Sequence, residues 1–157
     1  LSNAAAPVGA VAAHETIYNT ILNHSAAGIE LFHGYTYSGH PLSAAAVKAT
    51  LELYTHARIF ENAQAMSGVF EQAAHALKGF PHVLDIRNLG LVAGIELKPR
   101  EGAPGARAAE VFQKCYEQGV LLRYTGDIIA ISPPLIINEE QITQIFNVRG
   151  NVLKQVD

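Results

Sequence analysis

Between Gly34 and Pro41 the chain reads Gly-Tyr-Thr-Tyr-Ser-Gly-His-Pro and runs straight into an alanine-rich helical pattern. Unpaired backbone amides near a helix start, with hydroxyls beside them, suit a phosphate or another anion. The same composition equally suits a glycine-rich connection whose aromatics fill a groove. Arg123 follows the apolar run Val120-Leu121-Leu122 and precedes Tyr124-Thr125-Gly126-Asp127. A planar guanidinium can clamp a carboxylate through two parallel hydrogen bonds, and at a strand end it can equally pair with a structural acid such as Asp127. Arg87, in Asp85-Ile86-Arg87, is read as structural because its partner sits beside it.

Other catalytic signatures are missing from the sequence. There is no GxxxxGK[ST] phosphate loop, no GxGxxG, no GxSxG and no CxxC. His14-Glu15 is followed by Thr-Ile-Tyr, so the zinc-binding HExxH pattern fails at its last position. His33 and His40 lie in an irregular segment without further ligands at plausible spacing, and no metal site is expected. Cys115, the single cysteine, excludes an internal disulfide framework and reads as a small buried hydrophobe.

The elements that must position these residues follow from punctuation and period. Val8–Ala13 reads as a short buried strand, and a helix opens at His14-Glu15-Thr16 with Thr16 as a possible cap and Ile17, Ile21 and Leu22 on one face. Pro41 occupies a helix start. From there Leu42, Ala46, Ala49, Leu53, Ala57, Phe60, Ala63, Ser67, Phe70, Ala74 and Leu77 recur at three or four residues, an amphipathic helix with a possible break near 58–61 or at Gly68. Gly79 and Pro81 end it. Strands at 83–87 and 91–97 flank a turn at Asn88-Leu89-Gly90. A helix over 106–118 turns Ala108, Val111, Phe112 and Cys115 inward. Strands at 120–124 and 128–131 flank Thr125-Gly126-Asp127. A last helix, capped by Asn138, lines Ile142, Ile145, Phe146, Val152, Leu153 and Val156 along one side. The order from Pro81 onward describes a compact α+β lobe to which the first forty residues do not belong.

The whole-chain numbers agree. The 157 residues are 49% hydrophobic and 16% charged with formal net charge -3, which excludes disorder and argues against a nucleic-acid binder. No apolar run approaches the roughly 18 residues of a membrane span. A lone cysteine without an export signal makes the cytoplasm the expected compartment. Leu1, rather than Met, opens the chain, which reads as the interior of a larger protein.

Several separated motifs together carry a resemblance. His33-Gly34-Tyr35-Thr36-Tyr37-Ser38-Gly39-His40-Pro41-Leu42, Asp85-Ile86-Arg87-Asn88-Leu89-Gly90-Leu91-Val92, the Pro99–Arg107 loop, and Arg123-Tyr124-Thr125-Gly126-Asp127 with Ser132-Pro133-Pro134-Leu135 resemble the class III pyridoxal-phosphate-dependent aminotransferases. The branch they are most similar to is the ω-amino acid:pyruvate, or β-alanine–pyruvate, type. The resemblance implies an α/β fold, the C-terminal part of a fold-type I transferase. Residues 1–40 would end the large cofactor-binding domain, 41–80 would form a linking helix, and 81–157 a small α+β C-terminal domain. It implies pyridoxal 5'-phosphate as cofactor, an ω-amino acid or amine and pyruvate as substrates, and a homodimer or higher homo-oligomer with sites at the subunit interface.

On that resemblance Thr36, with Tyr35, would contact the phosphate of the partner subunit's cofactor, and Arg123 would grip the substrate carboxylate. In that family the lysine that anchors the cofactor lies just before a segment resembling Leu1–Val11, so the resemblance implies a position about two residues before Leu1, and none of Lys48, Lys78, Lys98, Lys114 or Lys154 stands in a matching position. The chain by itself is therefore expected to be inactive. The alternatives are a non-enzymatic α+β interaction module or truncated paralogue, or another class III branch of the γ-aminobutyrate or acetylornithine type.

Overall fold

The computed structural model describes residues 1–25 and 34–157, so Leu31, Phe32 and His33 of the motif loop lie outside the described residues. The chain divides into two compact units, Leu1–Ala57 and Arg58–Asp157.

The first unit holds α1 (Glu15–His24) and α2 (Pro41–His56). Residues 8–13 do not form the expected buried strand. They carry no strand pairing, and Val11 is 96% exposed. A strand is held by the backbone of a neighbour, and the described residues of this unit supply none. His14, rather than Thr16, caps α1: its Nδ1 accepts the Thr16 backbone N–H at 3.2 Å. Pro41 stands at the start of α2 as its fixed φ favours. Thr50 is the one buried residue of α2, and α1 has none.

The long apolar stripe is two helices. Arg58 adopts φ 51°, a left-handed conformation that stops propagation, and α3 (Ile59–His75) begins beside it. Gly68 passes through α3 without a break. The later part of the stripe is core, with Phe70, Ala74 and Leu77 buried, whereas Leu42, Leu53 and Phe60 are exposed.

The second unit is built on a four-stranded antiparallel sheet in the order β1-β2-β4-β3. β1 (Val83–Leu89) and β2 (Val92–Leu97) form a hairpin whose turn is Gly90-Leu91, later than the expected turn at 88–90. Gly90 takes φ 55°, which glycine alone adopts without cost, and this fixes where the chain reverses. β3 (Arg123–Thr125) and β4 (Ile128–Ile131) form the second hairpin. Gly126-Asp127 turns it; of the expected 120–124 strand only Arg123 and Tyr124 pair, and Thr125, expected in the turn, joins them in the ladder. α3, α4 (Ala106–Glu117) and α5 (Glu139–Leu153) contact the sheet or one another. The core runs through Phe70, Ile95, Leu97, Val111, Cys115, Ile129, Ile142 and Val152, all without exposure. The inward set predicted for α4 holds for Ala108, Val111 and Cys115, while Phe112 is half-buried. Asn138 caps α5 in a reciprocal capping box with Gln141.

Cross-strand register sorts the two faces. Tyr124, Ile129, Ile95 and Ile86 stand opposite one another in one row that holds the buried Ile129 and Ile95. The alternate row, Arg123, Ala130, Gly94 and Arg87, faces away from them. Arg149 is the exception to core composition. It has no exposure, its guanidinium lies over the Phe146 ring at 5.2 Å, and none of the three guanidinium nitrogens has a hydrogen-bond partner among the described residues.

Candidate functional site

Each unit is described by itself, and each carries candidate binding residues of its own. In the second unit, Tyr124 packs against Phe112 of α4, with ring centroids 5.5 Å apart. Because neighbouring side chains of a strand point to opposite faces, anchoring Tyr124 on α4 turns Arg123 to the face away from α4. Asp127, the structural acid weighed as a partner for Arg123, is committed elsewhere. Its Oδ1 accepts the backbone N–H of Gly105 at 2.8 Å, tying the β3–β4 turn to the start of α4. Arg123 has no ion pair among the described residues. It lines an open groove of about 870 Å³, of whose described lining residues it is the only charged one. Leu121, Val92 and Ile136 supply apolar wall, and Asn138 and Gln141 supply amides.

Arg87 behaves as read from the sequence. Its Nη1 donates to Asp85 Oδ2 at 2.9 Å and to Glu96 Oε2 at 3.1 Å, and its stem lies over Gly94. The hydrogen bonds it donates to Glu96 and then to Asp85 raise its pKa further above the ordinary arginine value. A guanidinium held by two carboxylates is not free for a ligand.

In the first unit, Gly34–His40 forms a compact turn before α2. Tyr35 donates its N–H to Ser38 Oγ at 3.0 Å, Ser38 returns its own N–H to the Tyr35 carbonyl at 2.9 Å, and Gly39 takes φ 75°. This closes the loop on itself and commits the Tyr35 amide. The Thr36 hydroxyl is exposed, with no partner among the described residues. An uncommitted hydroxyl beside the start of a 16-residue helix fits a phosphate, so Thr36 suits a cofactor phosphate better than the Tyr35 amide does. Tyr37 and His40 meet edge to face at 6.4 Å, which settles His40 beside an aromatic ring. Among the described residues no three His, Cys, Asp or Glu side chains cluster as metal ligands do, and His33 lies outside them. No helix among the described residues is long and apolar enough to cross a membrane.

The model of the aminotransferase class-III family matches residues 1–153. The chain belongs to that family. It is 54% identical over 157 residues to an omega-aminotransferase of Caulobacter vibrioides, covering all of this chain and 36% of that protein. It is 34% identical over 158 residues to the beta-alanine–pyruvate aminotransferase of Pseudomonas aeruginosa, covering 99% of this chain and 35% of the relative. Among solved structures, a transaminase with L-alanine superposes with TM-score 0.82 at 30% identity, over 90% of this chain and 35% of its own. The adenosylmethionine-8-amino-7-oxononanoate aminotransferase of Methanocaldococcus jannaschii gives TM-score 0.79 at 32% identity, over 90% and 34%. The chain thus spans about a third of the length of the relatives it matches. Class III aminotransferases are pyridoxal-phosphate enzymes, and the α/β architecture described above is a portion of theirs.

Neither the Asp127–Gly105 bond nor the groove was visible in the sequence. Asn138, read as the cap of the last helix, did signal the helix start that supplies the groove's amides.

Proposed function

We propose that the full-length protein transfers an amino group from β-alanine or another ω-amino acid or amine to pyruvate, as a cytoplasmic homodimer or higher homo-oligomer. We further propose that Arg123 binds the substrate carboxylate, and that Thr36, with Tyr35, binds the cofactor phosphate of the partner subunit. Residues 1–40 then close the large domain, 41–80 link, and 81–157 form the small domain. The observation that carries this reading is the unpaired Arg123 guanidinium in an otherwise uncharged groove, its neighbouring acid already committed to Gly105. The names of the ω-aminotransferase and β-alanine–pyruvate relatives favour the substrate class.

Pyridoxal phosphate supplies the electron sink that lets a proton leave the amino-bearing carbon. The residues of this chain act on binding and orientation. Arg123 fixes a carboxylate bidentately and so sets the distance from that end of the substrate to the reacting carbon. The apolar wall of Leu121, Val92 and Ile136 lowers the local dielectric and strengthens that pair. Thr36 donates a hydrogen bond to a phosphate oxygen and holds the cofactor in register. The anchoring lysine belongs, on this reading, to the part of the protein before Leu1, and the 157 residues alone do not transaminate.

The test is Arg123→Gln in the full-length enzyme, with β-alanine and a carboxylate-free amine as alternative donors. Loss of a charge-assisted bidentate pair raises KM for β-alanine by roughly 10- to 100-fold. KM for the amine stays within about twofold. Equal loss for both donors would refute the assignment of Arg123 to the carboxylate.

A further inference from the structure

β1 is one edge of the sheet, and its outer side pairs with no strand among the described residues. It is also the longest of the four strands, with seven residues against six in β2, four in β4 and three in β3. Proteins keep exposed edges short, or interrupt them with proline or lysine, because unpaired N–H and C=O groups recruit another strand. β3, at the opposite edge, is short in this way. β1 holds neither proline nor lysine, and apolar side chains stand near both of its ends, with Leu84 59% exposed and Leu89 86%. The register irregularity between Val83 and Asp85 confines regular pairing to the stretch beyond it.

The residues of that stretch select one occupant. Asp85 and Arg87 lie on one face of the strand with Ile86 between them, and Arg87 Nη1 bonds Asp85 Oδ2 at 2.9 Å. Two copies of β1 running antiparallel about a twofold axis through Ile86 set Asp85 of each copy opposite Arg87 of the other. An axis through Asp85 or through Arg87 instead sets like charges face to face, which is destabilising. The bonds from Arg87 to Asp85 and Glu96 both leave from Nη1, so the other guanidinium nitrogens bring donors to a carboxylate across the axis. The four charges then alternate in sign around the axis.

We infer that β1 pairs with β1 of a second copy of this chain, antiparallel about Ile86, so that two four-stranded sheets join into one of eight strands. The contact lies at the sheet edge opposite Arg123 and does not depend on the substrate reading. A ladder this short buries less than the roughly 1,200 Å² of a standard stable interface, so the association is weak and concentration-dependent. Its selectivity comes from the charge pattern, which admits another β1 in one register and rejects the neighbouring ones.

The test is sedimentation velocity of the full-length protein over a wide concentration range, for wild type, Asp85→Arg, Arg87→Asp and an equimolar mixture of the two variants. Wild type is expected to shift with concentration toward a species of twice the mass of its smallest one. Each variant alone sets like charges across the axis and is expected to associate at least ~10-fold more weakly. The mixture is expected to regain wild-type association, because one partner then brings two arginines and the other two aspartates. Mixing does not rescue a substitution that merely unfolds the lobe, so recovery reads the contact itself. Absence of concentration dependence in wild type overturns the inference. So does association of either variant alone as strong as that of wild type, or a mixture that associates no better than its components.

Discussion

Arg149 sits in the middle of α5 with no exposure, its guanidinium over Phe146 and all three nitrogens unbonded. The hydrophobic period picks out Ile142, Ile145, Phe146, Val152, Leu153 and Val156 for that side and does not disclose Arg149, because a charge at a core position is the one thing such a period cannot announce. Burial penalises the protonated form and lowers its pKa from the ordinary arginine value to about 10. The folded pKa lies below the unfolded one, so the unfolded chain binds the extra proton between these values. Stability therefore rises with pH through that window, and the penalty is at its full size below pH 10. At about 1.4 kcal/mol per unit the penalty is of order 3 kcal/mol, offset by about 1 kcal/mol from the Phe146 ring. Arg149→Met is accordingly expected to stabilise the chain by about 1–3 kcal/mol at neutral pH, with the gap closing as pH passes 10. Denaturant midpoints at several pH values check this, and a less stable Met variant at neutral pH would mean the guanidinium has a partner after all. Arg123 is the opposite case. Its position after an apolar run was legible, and the commitment of Asp127 to Gly105 was not, because that bond joins residues 22 apart whose meeting depends on the packed lobe.

At the scale of elements, the Asp127–Gly105 bond is a clip between the β3–β4 turn and the start of α4. Gly105 takes φ 82° and packs against the Gly126 backbone, where a Cβ would come within 3.5 Å of the Gly126 carbonyl. Asp127→Ala removes the acceptor for an amide at a helix start and is expected to cost about 1 kcal/mol. Gly105→Ala forces a left-handed alanine and is expected to cost about 1–2 kcal/mol. Thermal melts of the 157-residue chain read both. In the full-length enzyme Asp127→Ala should leave KM for β-alanine unchanged, and a rise as large as that of Arg123→Gln would show that the two residues act as a pair. The same scale explains which elements the sequence disclosed. The helical stretches were legible because a 3.6-residue period carries its own face, and Pro41 and Asn138 marked the starts of α2 and α5 chemically. The hairpin turn moved to Gly90-Leu91 because positive φ at Gly90, rather than the polar Asn88, decides the reversal. Asn88 instead accepts at Oδ1 a hydrogen bond from His75 Nε2 at 2.9 Å, joining β1 to α3. Residues 8–13 failed as a strand because an apolar run names a buried environment without supplying the neighbour that makes it a strand.

Over the whole molecule, burial divides unequally between the two units. Every residue of the hydrophobic core, from Phe70 to Val156, belongs to Arg58–Asp157. Within Leu1–Ala57 the buried residues among those described are Ser2 and Thr50, while Val11, Ile17, Leu42, Leu51 and Leu53 stay more than half exposed. Isolated helices of 10 and 16 residues are marginal in water without an apolar face to pack. On the described residues, the first unit is expected to open at a free energy near zero and the second to unfold as one cooperative body. Trypsin should then cut the 157-residue chain early at Lys48 and Arg58, Arg58 being exposed and in a strained left-handed conformation, before cutting at any site of the core lobe. The expected product is a resistant fragment beginning at Ile59, identified by mass. Its melting temperature should match that of the intact chain, because the first unit adds little to the cooperative core. Resistance of Lys48 and Arg58 equal to that of Arg107, which is buried and bonded to the Lys98 and Asp157 carbonyls, would mean that the first unit has found cover of its own.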